Sequence, residues 1–342
     1  MAEIIPINQH KDNFNDSIKI LSELCREDLH SVNTLILEKL DSSVPLIKEI
    51  GTYLILSGGK RLRPLLTTAC FHLLNNESIN NYNHIGLAAA VEFIHAATLL
   101  HDDVVDLSKD RRGKLTANEV WDNKTSVLVG DFLFSRSFQL MTKYGNIKTL
   151  KILADTSVVI SEGEVLEISN DKNLEMNEDT YFQVINGKTA SLFSAACQVG
   201  GLSGGAKDNE QLALKSFGTN FGMAFQLIDD ALDYCSNSKT MGKNVGDDFK
   251  EGKITLPIIF AYGRSNEKEK RFWQKVVSKP NVDKHNFNLA KELIIKYNCI
   301  EDTLVRANHF ADVAIDSLSI FNNSEYKSAL IKLIKTSVKR LF

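Results

Sequence analysis

From Ser17 onward, apolar residues recur at three- and four-residue intervals, as in Leu21, Leu24, Cys25 and Leu29, or Leu37, Leu40, Val44 and Ile47. At 3.6 residues per turn such residues gather onto one stripe, so the chain is built for amphipathic helices that pack through that stripe. Strand–turn–strand architecture needs frequent breakers, and only 5 Pro and 19 Gly occur in 342 residues. The pattern predicts an all-α fold, a single-domain bundle over 17–342, with about ten or more helices at the usual helix length. Helices are expected over 85–106, 126–144, 150–168, 178–199, 209–234 and 255–263. The stretch 236–253 is polar and glycine-bearing and reads as a functional loop. Residues 1–16 mix acidic, basic and amide side chains with no apolar core; a loose terminus without a targeting signal is expected there.

Composition narrows the function classes. With 40 basic and 43 acidic residues the net charge is −3, which gives no reason to expect a nucleic-acid partner. The five cysteines (Cys25, Cys70, Cys197, Cys235, Cys299) contain no CxxC pair and read as buried apolar residues in a reducing compartment. The longest apolar stretch, 85–100, is interrupted by Glu92 and His95 and falls short of the roughly 20 residues that cross a bilayer. A cytoplasmic protein without a transmembrane segment is expected.

Two segments carry chemistry. Asp102-Asp103-Val104-Val105-Asp106 and Asp229-Asp230-Ala231-Leu232-Asp233 both read DDxxD. In a helix, i and i+4 share a face, so Asp102 stacks with Asp106 and Asp229 with Asp233. Aligned carboxylates repel, and the flanking Leu99, Leu100, Leu227 and Ile228 make unpaired charge costlier. One acidic pair is common on a solvated helix end; two copies set in apolar helices call for a partner. A divalent cation removes the repulsion, and oxygen-only donors select Mg²⁺, which is usually shared with substrate phosphates.

Cations accompany these clusters. Gly58-Gly59-Lys60-Arg61-Leu62-Arg63-Pro64 joins a glycine turn to three basic residues, and Arg63 offers a bidentate fork to an anion. Arg111 and Arg112 follow the first cluster, Lys188-Thr189 lies in an apolar helix, and Lys243 and Lys253 follow the second cluster. Each basic residue alone is most simply a solvated side chain, Arg61 among them. Together they match two diphosphates beside two carboxylate clusters. There is no GxxxxGK[ST], so a P-loop kinase is disfavoured. The remaining chemistry is departure of a metal-chelated diphosphate, with apolar walls keeping water from the cation left behind.

The chain resembles the trans-prenyltransferase (polyprenyl diphosphate synthase) family, and within it the bacterial octaprenyl diphosphate synthases. The resemblance runs from about Asp28 to the C-terminus and rests on seven motifs. They are GGKRLRP (58–64), EFIHAATLLHDDVVD (92–106), RRGK (111–114), VGDFLFSRSF (129–138), KTASLF (188–193), FQLIDDALDY (225–234) and GKNVGDDFKEGKITLP (242–257). It implies an isoprenoid-synthase bundle around a deep central cavity, with the two aspartate clusters facing each other.

By the same resemblance, Asp102 and Asp106, supported by Asp103, hold Mg²⁺ on an allylic diphosphate. Asp229, with Asp230 and Asp233, holds a further ion, for two or three in all. Arg111, Lys188, Lys243 and Lys253 would contact the allylic diphosphate; Lys60, Arg63, His95 and Arg112 would hold isopentenyl diphosphate. Thr189 and Gln226 would present oxygens to the forming cation. The allylic bond ionises, the isopentenyl double bond attacks, and a proton is lost. A homodimer is implied, with the product serving as a quinone side chain. Leu115 and Phe249 depart from the usual Pro and Leu, at positions not expected to touch a diphosphate.

Product length in this family depends on how far the tail runs beneath the aspartates. Thr98 and Ala97, four and five residues before Asp102, are small and leave that path open. Phe134, Phe138 and Met141 form a stripe on the facing helix; Met141, or Leu153 on the next, is a candidate floor, with plain core packing an equal alternative. His101 has no implied role beyond supporting its neighbours. A shorter-chain (geranylgeranyl) synthase and a non-catalytic subunit of a heteromeric synthase remain as alternatives. A terpene cyclase would lack GGKRLRP and the second DDxxD, and a lipid-binding bundle would not need the cations.

Overall fold

The computed structural model describes residues 7–74, 82–111, 113–235, 246–278 and 283–340. Among them the chain runs as α1 (Ile7–Leu24), α2 (Arg26–Lys39), α3 (Pro45–Leu56), α4 (Leu62–Leu73) and α5 (Asn83–Val105). A short ribbon, β1 (Asp110–Arg111) and β2 (Lys114–Leu115), leads to α6 (Ala117–Val120), α7 (Asn123–Tyr144) and α8 (Ile147–Ser169). Then come α9 (Glu178–Ile185), a π-helical turn (Asn186–Ala190), α10 (Ser191–Ser203) and α11 (Asp208–Cys235). The remainder is α12 (Asp247–Glu251), α13 (Leu256–Arg264), α14 (Glu267–Val277), α15 (Lys284–Lys296), α16 (Cys299–Ser317) and α17 (Glu325–Ser337). The fold is all-α, as the apolar period requires.

Local chemistry sets the boundaries. Asp122 caps α7 by accepting the Thr125 amide at 2.7 Å, and Asn146 with Thr149 forms a reciprocal capping box at α8. The helix expected over 178–199 is instead two α-helices joined by the π turn. Inserted π turns of this kind cluster at functional sites. The loop expected over 236–253 contains the short helix α12.

Two apolar clusters make the core. One is built on α4, α11, α13, α16 and α17; the other on α2, α5, α7 and α8. Helix α10 separates them, giving Phe193 and Cys197 to the first and Leu192, Ala195, Ala196 and Val199 to the second. Helix α5 is long and apolar enough to cross a membrane by length and composition, yet 78% of that window is buried inside the fold. Helix α1 begins inside the segment expected to be loose, and its Phe14 is fully buried.

Candidate active site

The first aspartate cluster ends α5, where the Asp106 amide donates to the Asp102 carbonyl at 2.8 Å and keeps both residues on one face. Asp103 points the other way and is 1% exposed. The β1–β2 ribbon, turning through Gly113 at φ +75°, brings Arg111 to it. Arg111 donates from Nε (2.9 Å) and Nη2 (2.7 Å) to one Asp103 oxygen. Lys253, placed just beyond the left-handed Gly252, donates to Asp106 at 2.8 Å and pairs with Glu251 at 2.9 Å.

Lys188 and Thr189 stand on the π turn. That turn lies against α8 because Gly187 and Gly163 bring the two backbones together; a Cβ on Gly163 would meet Gly187 Cα at 2.8 Å. Lys188 then donates to Glu164 (3.0 Å) and Glu167 (2.5 Å) on α8. Burial opposes the charge on Lys188, but Glu167, Glu164 and Asp102 more than offset it and hold the ammonium above its ordinary pKa. Burial and the Glu164 charge push Asp102 up to about 7, with Lys188 countering in part.

Thr189 faces the second cluster. Its hydroxyl donates to Gln226 Oε1 at 2.8 Å, and Gln226 Nε2 donates to Asp230 Oδ1 at 2.7 Å. The Tyr181 hydroxyl donates to the other Asp230 oxygen at 2.5 Å. Burial and the charge of Asp248 raise Asp230 to about 7 despite these donors. Asp233 is buried and accepts the Gly246 amide at 3.0 Å. Asp229 pairs with Arg340 at 2.6 Å. Adjacent residues of one turn thus bond the acidic pair on α8 and the Gln226 that holds Asp230, and Lys253, from beyond the second cluster, binds the first.

The residues of the glycine-turn motif rest on aromatic rings. Lys60 Nζ lies 4.6 Å from the Phe14 ring centroid, and the Arg63 guanidinium 4.4 Å from that of Phe193. Arg340 joins them, over Phe14 at 5.0 Å and Phe225 at 4.5 Å. A hollow of about 590 Å³ lies beside Lys60, lined also by Asn15, Asp16, Ile18 and Lys19. His95 is half-buried on α5, and Thr98 donates to its carbonyl at 2.9 Å.

Several expectations are corrected. Arg61 is not a solvated surface residue: it pairs with Glu92 at 2.5 Å and donates to the Ile55 carbonyl at 2.9 Å, from a left-handed backbone at φ 48°. His101 turns to α7, with Nε2 3.1 Å from the Val127 carbonyl, and lies on Gly130. Met141, Leu153 and Ala97 are buried as expected of a floor or of core, but Phe138 is 40% exposed and leaves the stripe. Arg112 and Lys243 lie outside the described residues.

Sequence reading missed Glu164, Glu167, Tyr181 and Arg340. Glu164 and Glu167 carried a signal, an i,i+3 acidic pair on one face of a helix. Arg340 carried none, being 111 residues from its partner.

A family model for polyprenyl synthetase matches residues 44–294. Octaprenyl diphosphate synthase of Escherichia coli (strain K12) is 40% identical over 324 residues, covering 95% of this chain and 99% of that protein. A decaprenyl diphosphate synthase structure from Rhodobacter capsulatus superposes with a TM-score of 0.90 at 46% identity, covering 95% of this chain and 99% of that one. A polyprenyl synthase from Caulobacter crescentus CB15, complexed with calcium and isoprenyl diphosphate, gives 0.90 at 44% identity over 94% and 97% of the two chains. The chain belongs to the polyprenyl synthetase family, whose members are prenyltransferases.

Proposed function

We propose that this chain, taken as one domain over 17–342, is a long-chain trans-polyprenyl diphosphate synthase of the octaprenyl type. It condenses isopentenyl diphosphate units onto an allylic primer such as farnesyl diphosphate, in the cytoplasm and as a homodimer, and supplies a quinone side chain. The observation that carries this reading is the π turn, whose Lys188 reaches the surroundings of Asp102 while Thr189 binds Gln226 beside Asp230.

The donors suit a hard cation: Asp102, Asp106, Asp229 and Asp233 offer only oxygen, and burial with the Glu164 charge disfavours a bare carboxylate at Asp102. Two or three Mg²⁺ held there would neutralise charge developing on the departing diphosphate. Lys188, Lys253 and Arg111, with Lys243, orient the allylic diphosphate, and Lys60, Arg63, His95 and Arg112 seat the isopentenyl diphosphate. Thr189 and Gln226 turn oxygen dipoles toward the positive carbon, stabilising charge where it develops. The buried apolar walls from α5 and α7 exclude water from it. Asp103 and Asp230 anchor their helix segments and keep the neighbouring carboxylates aimed inward.

The deciding experiment is incubation of the purified chain with farnesyl diphosphate, isopentenyl diphosphate and Mg²⁺, with the product sized by mass analysis. An octaprenyl product supports the reading. A geranylgeranyl-length product shifts it to the shorter-chain alternative, and no elongation by the isolated chain makes it a partner subunit. Met141→Ala and Leu153→Ala should lengthen the product; an unchanged distribution from both would reduce them to core packing.

A further inference from the structure

At the opposite end of α5 from the aspartates, three helices bring together a carboxylate and two imidazoles. Asp28 comes from the first turn of α2, His72 from the last turn of α4 and His84 from the first turn of α5. His72 Nε2 lies 2.6 Å from Asp28 Oδ2, and His84 Nε2 lies 3.2 Å from the same oxygen. All three ligand atoms fall within 4.8 Å of one another, the one such grouping of three His, Cys or acidic residues among the described residues. Along α5, His84 is about 27 Å from Asp102 at 1.5 Å per residue, so this cluster is separate from the proposed diphosphate site.

His84 supplies a second, independent observation. It is 3% exposed; its Nδ1 has no hydrogen-bond partner, and its Nε2 has only the Asp28 oxygen at 3.2 Å. A buried imidazole ordinarily places both nitrogens, and leaving them unsatisfied is costly. The ring is nonetheless held, stacked on Phe71 with centroids 3.7 Å apart and planes at 8°. His72 is held likewise, stacked on Tyr326 at 4.9 Å. Both Nε2 atoms and Oδ2 therefore converge from rings and a carboxylate fixed by their own packing.

We propose that Asp28, His72 and His84 form a binding site for a divalent transition-metal cation of the Zn²⁺ type, clamping α2, α4 and α5 together. Two neutral imidazoles and one carboxylate are a donor set that suits Zn²⁺ and disfavours Mg²⁺, which prefers oxygen. Tetrahedral bonds of about 2.0–2.2 Å place ligand atoms about 3.3 Å apart. The 3.2 Å between Asp28 and His84 already meets that spacing. The His72 contact opens to it by a shift of under about 1 Å, on a side chain that is 32% exposed. Through that exposed edge, water completes the coordination.

The test uses the full-length protein stripped with a chelator and titrated with Co²⁺ and then Zn²⁺. Four-coordinate Co²⁺ on imidazole absorbs strongly in the visible, whereas six-coordinate Co²⁺ on carboxylates absorbs weakly, so the spectrum separates this site from the aspartate clusters. The expected result is one equivalent of strongly absorbing Co²⁺, displaced by Zn²⁺, with a thermal midpoint several degrees higher once Zn²⁺ is bound. His72→Gln and Asp28→Asn should weaken that binding by more than about tenfold and leave prenyl transfer with saturating Mg²⁺ unchanged. His72→Gln alters only the half-exposed ring, so it keeps the test usable if the Asp28 variant folds poorly. A weak spectrum from the wild type, or a strong band kept by both variants, overturns the site and leaves a hydrogen-bonded Asp–His pair.

Discussion

The two aspartate clusters share one motif and differ in what surrounds them. In each, the second aspartate is the buried anchor: Asp103 is 1% exposed and held by Arg111, and Asp230 is 3% exposed and held by Tyr181 and Gln226. The outer residues part ways. Asp102 carries charge that burial and Glu164 make costly and Lys188 offsets only in part, while Lys253 pairs with Asp106. Asp229 is covered by Arg340, an arginine from beyond α17 that rests on two aromatic rings. A repeated sequence motif therefore sets the donors, while neighbouring elements set how much of their charge awaits a cation.

Removing the donors should have the largest effect. Asp102→Ala or Asp229→Ala is expected to lower turnover by at least about 10²-fold while the helical circular dichroism stays intact. Loss of fold in either variant would make that aspartate structural. Loss of activity from only one would mean that the clusters do not act as a pair.

Lys188→Ala comes next, because it leaves Glu164 and Glu167 without their shared cation. Turnover should fall by about 10–100-fold and stability by about 1–3 kcal/mol, read from initial rates and denaturant melts. Equal stability in wild type and variant would place the lysine in solvent.

Arg340→Met probes the cover on the second cluster. In the metal-free protein it should cost about 1–2 kcal/mol, since the charge-assisted bond and two cation–π contacts are lost, discounted for the part-exposed carboxylate. The cost should shrink when Mg²⁺ and diphosphate are present. An unchanged cost would mean that Arg340 and the metal do not compete for Asp229.

The smallest effect concerns protons at the first cluster. The folded-state pKa of Asp102, about 7, lies above its ordinary value near 4, so between those pH values the folded chain keeps a proton that the unfolded chain has released. Its contribution to stability is therefore full below about pH 4, falls as pH rises through this window and levels off above about 7. Asp102→Asn removes that titration without removing bulk. In the metal-free protein it should be near neutral at about pH 4 and progressively stabilising up to pH 7.5, on the order of 1 kcal/mol after discounting for solvent screening. A constant difference across that range would show that Asp102 does not titrate there.

Much of this is legible in the amino-acid sequence. Helix-forming period and the DDxxD spacing are local properties, because side chains three and four residues apart must share a helix face, whereas the roles of Lys188, Thr189 and Gln226 come from the family resemblance. Where reading failed, the missing partner lay far along the chain. Arg61 looks like one more surface cation until Glu92, 31 residues away, is placed beside it. The helix expected over 178–199 had no break that sequence alone displayed, yet the close Gly163–Gly187 contact accompanies a π turn there.

Helicity, the two carboxylate triplets and the basic residues that accompany them are written in the order of the amino acids. Packing of the helices set the rest: Asp103 in the first triplet and Asp230 and Asp233 in the second are buried, Glu164 and Glu167 share Lys188, and Arg340 covers Asp229. It alone also gathers Asp28, His72 and His84. The two differ in range. Periodicity and motif spacing are fixed within a few turns of helix, whereas burial and charge pairing depend on which helices the apolar stripes bring together.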